Sequence, residues 1–158
     1  MAQTERLTLV DDIRRNEDCM FTVVEYLATG YVAPPRVHLQ MHGEQTSMMS
    51  IAGLIALCGL AKTLELDKLA EKTCSMIAEQ RNLTPAAFLV AAEQCCAEGA
   101  NIDVSADSVI GSWLRWYLSS HLEALQAGGH IDRIASKGGK LNSLLVKVLM
   151  EAQQKRAR

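Results

Sequence analysis

His38 and His42 stand four residues apart, a spacing at which two imidazoles can share a metal ion on one helix face. A metalloprotease of that pattern needs Glu directly after the first His, and here that position is Leu39. A zinc site also needs a third and a fourth ligand, and no Cys or His pair at ligand spacing supplies them. The pair is therefore read as two loop histidines. His121, next to Ser119 and Ser120, reads as a helix-face residue rather than a base. Asp11-Asp12 and Glu17-Asp18 read as solvated helix surface. No segment has the G-x-S-x-G spacing of a nucleophile elbow, and the glycine fingerprint of a dinucleotide site is absent. No catalytic, metal-ligating or cofactor-binding residue is assigned. The expectation is a protein that is not an enzyme and uses no cofactor.

Ser136 to Ser143, which contains Lys137-Gly138-Gly139-Lys140, has some ingredients of a phosphate loop. The full pattern needs Gly five residues before the Gly-Lys pair and Ser or Thr after it; those positions hold Ile134 and Leu141. Nucleotide hydrolysis is rejected. A glycine pair between two helices is ordinary turn punctuation, and it is so read here.

Charge is distributed unevenly. Residues 1–131 carry 9 Lys/Arg and 16 Asp/Glu, a net of -7, whereas residues 132–158 carry 7 and 2, a net of +5. Such asymmetry suggests a basic arm for nucleic acid or an acidic partner. On that reading Arg133, Lys137, Lys140, Lys147, Lys155, Arg156 and Arg158 contact phosphates rather than base edges. The competing reading is a helix whose solvated face is basic, with its last-turn cations complementing the helix dipole.

These residues need helices to position them. The 158-residue chain is 49% apolar and 22% charged, which excludes disordered and low-complexity classes. Aromatics are 4%, so the core is aliphatic. Residues 5–29 show helical spacing, with Met20, Val23, Val24 and Leu27 in the second half and Gly30 at the end. Pro34-Pro35 forces an extended connector, and residues 37–43 alternate as a short strand would. The longest apolar run, Met48 to Ala61, is interrupted only by Ser50. It is shorter than the about 20 residues a bilayer span needs and reads as a buried helix capped by Thr46 or Ser47. Its small residues Ala52, Gly53, Ala56 and Gly59 allow close approach of another helix and are the candidates for self-association. Further helices are expected over 68–81, from Thr84-Pro85 to about 98, from a cap at Ser105 or Asp107 through Leu122 to Gly128, over 131–136, and from Leu141 to about 155. The last carries a stripe of Leu141, Leu144, Leu145, Val148, Leu149 and Ala152.

Residues 63–94, a Thr-Leu-Glu-Leu segment followed by two short helices joined at Asn82-Leu83-Thr84-Pro85, resemble in part a ribbon-helix-helix DNA-binding unit. A ribbon there would put Thr63 and Glu65 on one face, and the Glu65 carboxylate would be repelled by phosphates. The segment is read instead as the buried helix continuing to about Glu65. The glycine turns at Gly99 and Gly128 do not fit a helix-turn-helix, because Gln94 and Glu98 fall where that motif buries apolar side chains.

Five cysteines, an odd number with no CxxC pair, and an N-terminus without an apolar leader read as reduced thiols in a cytoplasmic protein. The expected fold is all-α: a single compact domain over residues 1–158, with six to eight helices around one buried apolar helix. The expected role is a helical protein-interaction or regulatory module, homodimeric, binding itself and another protein. The alternative is a nucleic-acid-binding regulator that uses the basic segment 132–158.

Overall fold

A computed structural model describes residues 19–32 and 50–158. Among these residues there are eight helices and no strand, so the protein is all-α. We label them α1 (residues 19–29), α2 (Ile51–Thr63), α3 (Asp67–Ala78), α4 (Pro85–Cys96), α5 (Val109–Ser120), α6 (Leu122–Ala127), α7 (His130–Lys137) and α8 (Gly139–Arg156). Contacts cluster into two units, Met1–Thr73 and Cys74–Arg158, with the division inside α3. The double-proline connector, the alternating segment 37–43, His38, His42, Thr46 and Ser47 lie outside the described residues.

In the first unit, Cys19 and Val23 of α1, Leu57 and Ala61 of α2, and Leu69 and Ala70 of α3 form one buried cluster. Tyr26, Ala56, Leu60 and Leu66 pack around it. The end of α1 is tied down by Lys72, whose Nζ donates to the Gly30 carbonyl at 2.9 Å and lies 5.3 Å from the Tyr26 ring centre. The apolar run does form the expected helix, and no side chain from Ile51 to Ala61 is fully exposed. Ser50, read from sequence as an interruption, is in fact its cap. The Ser50 hydroxyl accepts from the Gly53 N–H at 3.2 Å, satisfying a donor that the first turn leaves without a helical partner. The helix stops at Thr63, two residues short of the expected Glu65, which sits at φ 58°. No ribbon strand forms at residues 63–66.

In the second unit, α8 packs on α4, α5 and α7. Leu141, Leu144, Leu145 and Val148 of α8 are buried, whereas Leu149 and Ala152 are half-buried. Thr84-Pro85 starts α4 as expected, with the Thr84 hydroxyl accepting from the Ala87 N–H at 3.3 Å. The cap of α5 is Ser108, not Ser105 or Asp107. Its hydroxyl accepts from the Gly111 N–H at 2.9 Å and lies 2.7 Å from the Ser105 carbonyl oxygen. The loop that precedes α5 is thus tied to the helix through one side chain.

The expected helix through Leu122 is broken at His121, which separates α5 from α6. A stack of rings packs beside the break. Phe88 stacks on Tyr117 at 3.9 Å, and Tyr117 stacks on His121 at 4.0 Å. The His121 Nδ1 lies 3.3 Å from the Tyr117 carbonyl oxygen. Trp113 meets Phe88 edge-on at 5.6 Å. The polar ends of these rings find backbone acceptors: the Tyr117 hydroxyl donates to Leu83 at 2.6 Å and the Trp113 indole N–H to Gln80 at 3.1 Å. Burial holds the Tyr117 hydroxyl protonated to a higher pH than usual. The few aromatics therefore hold the 80–83 loop onto α5.

Candidate functional site

Of the cations expected to contact phosphates, two already have a protein partner. Glu93 of α4 receives Arg133 at 3.3 Å and Lys137 at 3.1 Å, which ties α7 to α4. Lys140, Lys147, Lys155, Arg156 and Arg158 are exposed and form no ion pair among the described residues. Arg115 instead pairs with Glu151 of α8 at 2.7 Å. Lys140, Ser143 and Lys147 line one side of a cleft of about 440 Å³, and residues 102–106 line the other. Asp103 faces the same cleft, its carboxylate accepting from the Ser105 N–H at 2.9 Å. The cleft is therefore mixed in charge. The turn between α7 and α8 takes Gly138 at φ 67° and Gly139 at φ 77°, a left-handed conformation that glycine adopts without penalty. No side chain caps α8.

The four small residues proposed for self-association are all half-buried. Ala56 packs against the cluster of the first unit, and Gly53 serves the Ser50 cap.

Among the described residues, no group of three or more His, Cys, Asp or Glu is placed to hold a metal ion, and no helix is long and apolar enough to cross a membrane. All five cysteines are thiols. Cys96 lies in a cleft with Lys140 and Glu93, and burial pushes its pKa up to about 11 against an opposing pull from the Lys140 ammonium. At pH 8 only on the order of one Cys96 in a thousand is a thiolate. Iodoacetamide treatment of the folded chain, read by peptide mass, should leave Cys96 almost unmodified at pH 7. Its rate should rise roughly tenfold per pH unit up to the raised pKa. Fast labelling at pH 7 would contradict the placement.

The feature that sequence spacing did not distinguish is the outer face of α1. Met20, Phe21, Val24, Leu27 and Tyr31 are exposed, from 43% at Met20 to 75% at Tyr31. Met20, Val24 and Leu27 fall at i, i+4 and i+7, a single stripe along α1; Phe21 flanks it, and Tyr31 follows the Gly30 turn that ends the helix. The only charge from residue 19 to 31 is Glu25, which is half-buried. Comparison with protein-family models, with curated proteins and with solved structures gives no match.

Proposed function

We propose that this chain is a non-enzymatic protein-interaction module, working as a thiol-containing protein of the cytoplasm, that pairs with a second copy of itself through the outer face of α1. The observation that carries this reading is the uncharged apolar patch of Met20, Phe21, Val24 and Leu27 on α1, with Tyr31 just past its end. Exposed apolar patches of this kind mark interaction sites. A stripe along one helix can meet its own copy about a two-fold axis, since one surface supplies both halves of the contact. A charged partner would find no counter-charge on it. At these exposures the five side chains present on the order of 500 Å², short of the about 800 Å² per partner of a standard interface. An area this small fits a weak, transient pairing.

Val24 lies at the middle of the stripe, so about a two-fold axis it approaches its own copy. Val24→Cys should give a disulfide-linked dimer under mild oxidation. Val146→Cys, an aliphatic position of similar exposure on α8, should not. Equal cross-linking at the two positions, or none at either, would overturn the assignment of the face.

A further inference from the structure

A cleft of about 460 Å³ lies where the end of α3 and the residue Arg81 face the start of α5. Its walls carry Arg81, Asp107, Ser112, Val109, Trp113 and Trp116. The volume falls in the range of small-molecule sites. Arg81 is held in place rather than left to wander: its guanidinium carbon lies 4.2 Å from the centre of the Trp116 ring. Trp116 is itself fixed edge-on against Tyr117 at 6.0 Å and His121 at 5.8 Å. A cation held over a ring in this way keeps N–H donors of its guanidinium available, and such donors receive a carboxylate through two parallel bonds. Among the described residues those donors have no acceptor: Arg81 forms no ion pair and donates no hydrogen bond. Asp107, on the same cleft, is also exposed and has no cationic partner among the described residues.

An Arg and an Asp that share a cleft without meeting are complemented by a ligand whose own opposite charges lie between them. Val109 and the tryptophan rings give the cleft an apolar part, beside the hydroxyl-bearing Ser108 and Ser112. We infer that this cleft binds a free amino acid with an apolar side chain: its carboxylate on Arg81, its ammonium on Asp107, and its side chain against Val109 and the Trp116 ring. The inference does not rest on self-association through α1. The cleft is open, so binding is in the millimolar range.

The two tryptophans are the only ones in the chain, and this gives a direct readout. In a nitrogen-15 correlation spectrum the full-length protein shows two indole N–H signals. Trp113 donates to Gln80 at 3.1 Å, whereas Trp116 carries Arg81 and should respond to the ligand. Titration with L-leucine should shift the Trp116 signal saturably and the Trp113 signal much less. N-acetyl-leucine, which lacks the ammonium, and leucinamide, which lacks the carboxylate, should each bind at least tenfold more weakly. Arg81→Gln and Asp107→Asn should each abolish the preference for leucine over one of these, leucinamide and N-acetyl-leucine respectively. Unchanged thermal melting would report that each variant is folded. No shift with leucine at tens of millimolar, or equal shifts with all three compounds, would overturn the inference.

Discussion

Gly111→Ala should destabilise the protein by about 3 kcal/mol or more, the opposite of what helix propensity predicts. Replacing a helical glycine with alanine ordinarily gains about 1 kcal/mol. At Gly111 the methyl group has no room. Its Cβ would collide with the Ser105 carbonyl oxygen, lie 2.7 Å from the Ser105 carbonyl carbon and lie 2.8 Å from the Ser108 hydroxyl. Two of those atoms are backbone and cannot rotate away. The third is the cap of α5, held by the Gly111 N–H and within 2.9 Å of the Asp103 carbonyl oxygen. Relief therefore requires the 103–108 loop to leave the helix. Overpacking of this sort costs about 1–3 kcal/mol when side chains can adjust, and more when they cannot. At about 2–4 °C per kcal/mol for a chain of this size, thermal melting should fall by roughly 10 °C. Ser108→Ala, which removes only the cap, should cost about 1 kcal/mol. A Gly111→Ala protein that melts at or above the wild-type temperature would refute the close packing of this loop.

Phe88→Ala should be comparably damaging, at about 3–5 kcal/mol. Phe88 is fully buried, stacks on Tyr117 with ring planes 11° apart, and receives the edge of Trp113. Its removal withdraws the first ring of a stack that continues through Tyr117 to His121. Against a total stability of about 5–15 kcal/mol, that is a large share. Chemical denaturation should show the midpoint move sharply. Near-ultraviolet dichroism should show a weakened tryptophan signal, because Trp113 loses its fixed neighbour. Phe88→Leu keeps most of the buried volume and should cost less than half as much. Similar small losses for both variants would mean that the site collapses without the rings.

Local signals in the sequence carried the element types, and long-range contacts decided the rest. Thr84-Pro85 starts α4 because both halves of the signal, a hydroxyl acceptor and a pre-set φ, act within one turn. The cap of α5 was not readable in the same way. Ser105, Asp107 and Ser108 all qualify by type, and the choice fell on Ser108 because its hydroxyl also reaches the Asp103 and Ser105 carbonyls. The same holds for Ser50, which looks like a flaw in an apolar run until its bond to Gly53 is seen. Beside the break at His121, Phe88 stacks on Tyr117 from 29 residues upstream, and nothing in the local sequence encodes that pairing.

For the candidate sites, composition pointed to cations in 132–158, but only the fold reveals that Glu93, far upstream, engages Arg133 and Lys137. On α1 the spacing of Met20, Val23, Val24 and Leu27 marks a helix without marking its inward side. Packing on Leu57, Ala61 and Leu69 buries Val23 and leaves the other three outside. The pairing of Arg81 with Trp116, 35 residues away in sequence and 4.2 Å away in space, is likewise a product of the fold.

Sedimentation equilibrium across low to high micromolar concentrations tests the central claim, self-association through α1, most directly. The full chain should rise from its monomer mass of 17.3 kDa towards twice that value. The Phe21→Ser/Leu27→Ser variant, altered only at exposed positions, should stay at the monomer mass with unchanged thermal melting. A wild-type protein that remains monomeric throughout, or a variant that associates as strongly as wild type, would contradict the account.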